Sequence, residues 1–253
     1  MEILILIPSR YASTRFPGKP LALIKNKPMV QYVFEAASKV GSSVGYKVES
    51  SVYVATDDDR IFNAVEKFGG KAVMTSSSHP SGTDRCYEAY QKISQKVGKE
   101  FDVVVNVQGD EPFITPKQIK SLTECFDDDK VQIATLAKKI EDIETLQDIN
   151  KVKVVFGRDD FALYFSRFPL PFCRGKEQSE WLKSHDYFKH VGMYAYRPKV
   201  LKEVTLLKQG ELEKQESLEQ LRWLENGYRI KVKITDHESI GVDTPEDLRR
   251  LNS

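Results

Sequence analysis

The chain has 253 residues, 40% of them hydrophobic, which is enough for a sizeable core in one large domain or two small lobes. Its 38 Lys and Arg residues against 37 Asp and Glu residues leave a formal net charge of +1, which excludes the broad basic surface of a nucleic-acid-binding protein. The first apolar run stops at Pro8, too soon for a membrane span or signal segment, and 3 widely spaced cysteines without a CxxC motif favour the cytoplasm over a metal or disulfide site.

The first half of the sequence alternates strand-like and helix-like patterns. An unbroken apolar run at residues 3–8 predicts a strand that is buried on both faces. The next predicted elements, in chain order, are a helix from about residue 28, strand 51–56, a helix through residues 61–68, strand 71–75, helix 83–96 and strand 101–107. Such repeated βα units predict a mostly parallel nucleotide-binding sheet flanked by helices, with right-handed crossovers.

The second half of the sequence is less regular. Its predicted elements are strand 151–156, a hairpin partner at 161–165, a surface excursion at 169–184, a strand in the later part of 185–196, helix 211–225, strand 228–234 and a final helix at 244–251. We therefore expect an α/β fold with a single domain over residues 1–253, in which a smaller second lobe is inserted.

A cluster of cations follows the first predicted strand. Arg10, Arg15 and Lys19 lie within ten residues of one another, separated by the small residues Ser13 and Gly18. A triphosphate requires several converging cations and close approach of backbone N–H groups, and parallel sheets bind ligands at the carboxyl ends of their strands. The loop lacks the GxxxxGK[ST] pattern of a Walker motif. The alternative is a solvated basic turn, but the position after the first strand favours a phosphate-binding loop.

Two acidic residues are predicted to lie at the same edge of the sheet. Asp110 follows the strand at 101–107, and Asp243 follows the last strand. Carboxylates from two strand ends can share a Mg²⁺ ion with substrate phosphates, although Asp243 is equally consistent with a helix cap. The run Asp57-Asp58-Asp59 more simply caps the following helix, and a place near the metal remains its alternative.

Several motifs together resemble one enzyme family along the whole chain. IPSRYASTRFPGKPL, VYVATDD, SGTDR, VVNVQGDEPFI, ALYFSR, HVGMYAYR, LEQLRWL and GVDTPEDL are similar to segments of the 3-deoxy-manno-octulosonate cytidylyltransferases, or CMP-Kdo synthetases. The resemblance implies a nucleotidyltransferase of lipopolysaccharide biosynthesis. Such an enzyme uses CTP and Kdo, forms CMP-Kdo and releases pyrophosphate. It also implies a homodimer and a sugar-binding and dimerisation lobe at about residues 135–210.

The resemblance implies a role for individual residues. Arg10, Arg15 and Lys19 would hold the phosphates and act in catalysis together with Asp110, and Asp110 and Asp243 would bind Mg²⁺. Ser13, Arg85 and Gln108 would place the nucleotide, and the sugar acid would contact Arg167, His190, Tyr194, Glu219 and Gln220.

Simpler interpretations exist for part of this sugar-binding set. From the sequence alone, the default interpretation of His190 is a half-buried histidine whose hydrogen bonds are satisfied, and Tyr194 is also consistent with packing on the sheet. Glu219 and Gln220 are adjacent in a predicted helix and point about 100° apart, so one ligand contacts both only in a favourable arrangement.

The sugar acid and two other classes of protein stay open at this point. Ser9 replaces the usual Ala of the family, and the stretch 172–186 departs from the family pattern, so a modified Kdo or another sugar acid such as sialic acid is the alternative substrate. A glycosyltransferase would carry a DxD metal motif, which Asp57-Asp58-Asp59 formally satisfies. A protein that binds CTP without turnover is the third possibility.

Overall fold

The computed structural model describes residues 1–12, 16–40, 49–238, 241–242 and 244–252, with the backbone alone at 49 and 50. The chain divides into two compact units. The first comprises Met1–Lys120, Ala195–Thr205 and Ser239–Ser253, and the second comprises Ser121–Tyr194 and Leu206–Glu238. Within the described residues, no helix is long and apolar enough to cross a membrane. The lobe at about 135–210 stays a prediction.

The elements follow one another in mixed α/β order. The strands are β1 (Glu2–Ser9), β2 (Leu23–Ile24), β3 (Lys27–Pro28), β4 (Glu49–Thr56), β5 (Ala72–Met74), β6 (Val103–Asn106), β7 (Ile133–Lys139), β8 (Lys153–Phe156), β9 (Ala162–Ser166), β10 (Phe188–Tyr196) and β11 (Ile230–Ile234). The α-helices are α1 (Met29–Ser38), α2 (Asp59–Lys67), α3 (Gly82–Val97), α4 (Pro116–Thr123), α5 (Ile143–Gln147), α6 (Trp181–Ser184), α7 (Pro198–Thr205), α8 (Glu211–Glu216), α9 (Glu219–Glu225) and α10 (Pro245–Asn252).

The sheet of the first unit has the order β6-β1-β4-β5, and these strands run parallel to one another. Residues 3–7 of β1 are completely buried, as the continuous apolar run predicts for a strand that pairs on both sides. Val30 and Val33 of α1 and Ala89 of α3 are also completely buried. The predicted α/β class with a mostly parallel sheet is therefore confirmed.

The helices of this unit begin and end at residues suited to those positions. Asp58 caps α2 by accepting a 2.9 Å hydrogen bond from the backbone N–H of Arg60, so the acidic run does supply the predicted helix cap. Ser81 caps α3 through the N–H of Asp84, and Gly98 ends that helix in the left-handed conformation. These local contacts fix the start of α3, which contributes to the candidate site.

Among the described strands of the second unit, the sequence patterns predict all but β7. β7 lies between β11 and β10 and runs parallel to β11, and it was missed together with helices α4, α5 and α7. β8 and β9 form the predicted antiparallel hairpin. The predicted surface excursion at 169–184 is partly wrong, because Trp181 is buried in a cluster with Ile140, Leu146 and Tyr187.

The single helix predicted at 211–225 is wrong, because the chain breaks into α8 and α9. Ser217 takes up left-handed dihedral angles (φ 52°, ψ 48°), and Leu218 is extended. The break lets Glu213 of α8 form a buried ion pair with Arg222 of α9, with N···O distances of 2.7 Å. In one straight helix these residues would lie about 13.5 Å apart along the axis, so the pair requires the reversal.

Candidate active site

A polar cavity of about 250 Å³ opens in the first unit at the carboxyl ends of β1 and β6. Its wall on the β1 side includes Arg10 and Lys19, and its wall on the β6 side includes Gln108 and Asp110. Residues around the start of α3 complete the lining, and they are His79, Pro80, Ser81, Gly82 and Arg85. The structure thus brings together five predicted site residues from three separate segments, which are Arg10, Lys19, Arg85, Gln108 and Asp110.

Two described residues of the basic loop, Tyr11 and Gly18, are joined by a backbone hydrogen bond. Gly18 has a positive φ of 71°, and its N–H donates a 2.9 Å hydrogen bond to the carbonyl of Tyr11. Glycine is the residue that takes up this conformation with least strain. The turn delivers Lys19 to the cavity, where its side chain is only 14% exposed. Ser13 and Arg15 lie outside the described residues, so their predicted roles stay predictions.

Lys19 and Asp110 form a direct ion pair. The Nζ atom of Lys19 lies 2.6 Å from Oδ2 of Asp110, across 91 positions in the sequence. The backbone N–H of Val242 donates a 2.9 Å hydrogen bond to the carbonyl of Asp110. Val242 is the residue before Asp243, which lies outside the described residues. The pair joins the end of β6 to the phosphate-binding loop that the sequence predicts.

The ends of β1 and β6 approach each other closely because Gly109 has no side chain. A Cβ atom at this position would lie 2.9 Å from Oγ of Ser9 and 3.0 Å from the carbonyl oxygen of Pro8. At these distances the Ser9 side chain or the backbone at Pro8 would have to move to make room for a Cβ. Gly109 therefore keeps Asp110 beside the loop that carries Arg10.

The donor set at Asp110 suits a magnesium ion that is shared with substrate. Within the described residues, His, Cys, Asp and Glu side chains form no group of three or more that could hold a metal by protein ligands alone. Mg²⁺ is commonly held by one or two carboxylates together with phosphate oxygens and water. Asp110 is the one carboxylate among the described residues that line this cavity, where Arg10, Lys19 and Arg85 also lie, and that donor set fits this chemistry.

Arg85 is fixed from behind by an acidic partner. Arg85 is 3% exposed, and its guanidinium donates hydrogen bonds to Oγ1 of Thr75 at 2.6 Å and to Oδ2 of Asp57 at 3.0 Å. Asp57 therefore pairs with Arg85 at the carboxyl end of β4, and Asp58 caps α2. These contacts disfavour the alternative that the acidic run is a DxD metal site.

His79 is a cavity residue that the sequence patterns did not single out. Its Nε2 atom contacts Glu88 of α3, and Glu88 also accepts the N–H of Ser76 and pairs with Lys92. Burial acts to raise the pKa of Glu88, but the hydrogen bonds from Lys92, Ser76 and His79 outweigh it and lower this pKa to about 2. The signal that could have found His79 is its place just before the SGTDR segment that starts α3.

Arg167 of the predicted sugar-binding set lies in the second unit, directly after β9. Its Nε donates to the carbonyl of Glu216 at 2.7 Å, its Nη1 to that of Ile149 at 3.1 Å and its Nη2 to that of Ser217 at 3.4 Å. Carbonyl oxygens orient a guanidinium without neutralising its charge. Arg167 is thus close to the junction of α8 and α9, where Glu219 and Gln220 begin the second helix.

His190 and Tyr194 of β10 lie together in the same unit. Nε2 of His190 is 3.0 Å from Oγ1 of Thr135, and the rings of His190 and Tyr194 are 5.2 Å apart. The Thr135 hydroxyl is also 2.9 Å from the carbonyl oxygen of Met193, and when it donates its one proton there, Nε2 of His190 is the donor towards Oγ1. Burial lowers the pKa of His190 to about 3, so the ring is neutral near pH 7.

Tyr194 connects this pair of rings to α9. Burial, followed by the nearby Glu219 carboxylate, raises the pKa of the Tyr194 phenol well above its ordinary value. Its ring meets Trp223 of α9 edge to face at 5.1 Å, and Gln220 in the same helix is 5% exposed. Four of the five predicted sugar-binding residues therefore lie in β10 and α9, and Arg167 directly follows β9. Their contact with a sugar stays a prediction.

Comparison with known proteins adds an independent finding. Residues 4–234 match the family model described as cytidylyltransferase. The chain is 56% identical over 254 residues to 3-deoxy-manno-octulosonate cytidylyltransferase of Parabacteroides distasonis, covering 99% of this chain and 96% of that protein. It is 46% identical over 252 residues to 8-amino-3,8-dideoxy-manno-octulosonate cytidylyltransferase of a Shewanella strain, covering 99% and 97% of the two chains.

A solved structure agrees with these sequence matches. It is that of a CMP:2-keto-3-deoxy-manno-octonic acid synthetase complexed with CTP, which is 41% identical and superimposes with a TM-score of 0.88, covering 100% of this chain and 97% of the other. More distant cytidylyltransferase structures, such as one from Leptospira borgpetersenii at 16% identity and a TM-score of 0.60, share the fold. The chain belongs to the cytidylyltransferase family, and within it to the 3-deoxy-manno-octulosonate cytidylyltransferases.

Proposed function

We propose that this protein transfers CMP from CTP to the anomeric hydroxyl of 3-deoxy-D-manno-octulosonate (Kdo) and thereby supplies CMP-Kdo for lipopolysaccharide biosynthesis. The observation that carries the proposal is the Lys19–Asp110 ion pair in a cavity that also contains Arg10 and Arg85. Family membership across nearly the whole chain supports the choice of CTP and of a Kdo-type acid.

The bond changes in this reaction balance without a further reactant. The anomeric oxygen of the sugar forms a bond to the α-phosphorus of CTP, and the bond from that phosphorus to the bridging oxygen breaks. Pyrophosphate leaves with the electron pair, and the hydroxyl proton passes to solvent. Negative charge on the phosphates must be balanced as this happens, so cations positioned in advance supply much of the rate.

The residues of the first unit have distinct tasks in this proposal. Arg10 and Lys19, with Arg15 of the same loop, bind the triphosphate, and Ser13, Arg85 and Gln108 place the nucleotide. Asp110 and Asp243 would hold Mg²⁺, which supplies charge neutralisation and orientation of the phosphates when bound. Asp57 and Thr75 restrict the Arg85 guanidinium to one direction, which lowers the entropic cost of binding the nucleotide.

The residues of the second unit are proposed to bind the sugar acid. The Arg167 guanidinium would hold the carboxylate of Kdo, a planar anion that arginine recognises well. Neutral His190 offers the lone pair of Nδ1 to a sugar hydroxyl, because its Nε2 donates to Thr135. Tyr194, Glu219 and Gln220 complete the set with hydroxyl, carboxylate and amide groups.

A pyrophosphate-release assay tests this function. Purified protein is given CTP and Mg²⁺ with Kdo, 8-amino-3,8-dideoxy-manno-octulosonate or sialic acid in separate reactions. We expect release with Kdo, and release with another acid but not with Kdo would refute the choice of substrate. CTP binding without release in any reaction would support a binding protein, and consumption of a nucleotide sugar without release would support a glycosyltransferase.

The amino sugar is the second candidate substrate. One relative named for that acid is 46% identical to this chain over nearly its full length. The segment between β9 and β10 is also where the sequence departs from the family pattern, and it is anchored by the buried Trp181. Comparing kcat/KM for the two acids distinguishes these substrates.

The homodimer and the cytoplasmic location remain predictions from the family. Light scattering during size-exclusion chromatography measures the mass, and a dimer would have twice the 28.9 kDa of one chain. Fractionation of cells tests the location.

A further inference from the structure

Glu216, the last residue of α8, is the feature of the second unit that the proposed sugar site does not explain. Its Oε1 accepts a 2.6 Å hydrogen bond from the Ser166 hydroxyl at the end of β9, and its Oε2 accepts the backbone N–H of Arg167 at 2.9 Å. The backbone carbonyl of Glu216 accepts a third bond, from Nε of Arg167. One residue of α8 therefore holds the backbone and the side chain of Arg167.

The Arg167 guanidinium in turn contacts two other segments of the chain. Besides Glu216, it donates to the carbonyl of Ile149 and to that of Ser217. Ser217 is in the left-handed conformation, and α9 starts two residues later with Glu219 and Gln220. The direction in which α9 leaves this corner is thus tied to the position of Arg167.

The positive charge of Arg167 is not neutralised by the groups that its guanidinium contacts. Its guanidinium contacts carbonyl oxygens, and the Glu216 carboxylate is directed at the Ser166 hydroxyl and the Arg167 N–H instead. Within the described residues, the hydrogen bonds of the Arg167 guanidinium all go to backbone carbonyl oxygens and none goes to a carboxylate. A guanidinium oriented by neutral acceptors keeps its electrostatic attraction for an incoming carboxylate.

We propose that Glu216 is a positioning residue for the sugar acid, which acts by fixing Arg167 and, through the carbonyls of Glu216 and Ser217, the start of α9. The inference rests on the proposed function, since it assigns the support of the sugar subsite. Glu216 does not touch the substrate in this account. Its effect is on the affinity for the sugar acid and not on the affinity for CTP.

The test is a comparison of Glu216→Gln with Glu211→Gln in the same helix. Glutamine keeps the size of the side chain but has one accepting oxygen in place of two, so the Ser166 hydroxyl and the Arg167 N–H can no longer each donate to an oxygen of their own. Glu211 is exposed and pairs with the neighbouring Lys214. Its substitution therefore removes the same charge from α8 without disturbing the contacts of Arg167. Initial rates of pyrophosphate release are measured with Kdo varied at saturating CTP, and with CTP varied at saturating Kdo.

We expect KM for Kdo to rise about tenfold or more in Glu216→Gln, because the loss of one hydrogen bond to a charged group weakens binding by about that factor. KM for CTP should stay within about twofold of the wild-type value. Glu211→Gln is expected to match wild type in both. An unchanged KM for Kdo would overturn the proposal. An equal rise in both KM values would also overturn it, because general loosening of the fold has that effect.

A second variant keeps the proposal testable if Glu216→Gln does not fold. Ser166→Ala removes the hydroxyl that donates to Glu216 and leaves the carboxylate in place, so a smaller selective rise in KM for Kdo supports the role of Glu216. An unchanged KM for Kdo in folded Ser166→Ala would count against it. Failure of the proposed function is a separate result, since wild type and Glu211→Gln would then release no pyrophosphate with Kdo.

Discussion

Replacing Asp110 with Asn removes one negative charge from the cavity while the shape of the side chain is kept. At 2.6 Å from Lys19, two full charges interact by about 6 kcal/mol in a medium with an effective dielectric constant of about 20. The Asp110 side chain is 34% exposed, so solvent screening and desolvation reduce the net contribution to folding to about 1 kcal/mol. The backbone bond from Val242 to the Asp110 carbonyl does not depend on the carboxylate.

We therefore expect Asp110→Asn to fold with little change in thermal unfolding temperature and to lose turnover by about 10³-fold, or about 4 kcal/mol of transition-state stabilisation. Pyrophosphate release is measured at saturating CTP, Kdo and Mg²⁺, beside differential scanning fluorimetry. Asp102→Asn is the matched control, because Asp102 precedes the same strand at its opposite end and accepts the N–H of Glu2 at 2.7 Å. Activity of Asp110→Asn within about tenfold of wild type would refute the assignment of Asp110 to the metal and the phosphates.

Further predictions concern pH, protonation and backbone strain. The pKa of Glu88 is lowered to about 2 from an ordinary 4.5, so the stability that its ionised form contributes is present above about pH 4.5 and is lost as pH falls towards 2. In Glu88→Gln, the loss of stability with falling pH, followed by circular dichroism, should therefore be less steep between pH 4.5 and 2. A pH profile identical to that of wild type would contradict this. The ¹⁵N shifts of the His190 ring should stay constant between pH 5 and 8 because its pKa is about 3, and titration near pH 6.5 would disprove the buried neutral ring. Ser217→Gly should raise the free energy of unfolding by about 0.5–1 kcal/mol in urea titrations because glycine relieves the positive φ, and destabilisation would show that the Ser217 side chain matters more.

The positions of the main strands, and the charged residues that follow each of them, could be predicted from the sequence. The apolar run of β1 is buried along residues 3–7, and a parallel sheet places every strand's carboxyl end on one edge. This is why Lys19 and Asp110, 91 positions apart, could be assigned to one site before their 2.6 Å contact was known. The pattern of apolar residues indicates which strands are buried, and strands buried on both faces are typical of a parallel sheet.

Contacts between polar side chains of different elements could not be predicted in the same way. Nothing in an apolar period indicates that Asp57 pairs with Arg85, 28 positions away, or that His79 pairs with Glu88. The break at Ser217 is equally hidden, because residues 211–225 have good helix propensity and the buried Glu213–Arg222 pair that requires a reversal is a tertiary contact. The sugar-binding residues came from family resemblance for the same reason.

Because Gly109 has no side chain, the carboxyl ends of β1 and β6 lie close together. The carboxyl ends of two neighbouring strands meet there, with Ser9 and Pro8 so close that a methyl group would force one of them to move. The spacing between the cation that follows one strand and the carboxylate that follows the other is therefore a property of the main chain. Changes in the side chains that follow either strand would leave this close approach of the two strand ends in place, as long as residue 109 is glycine.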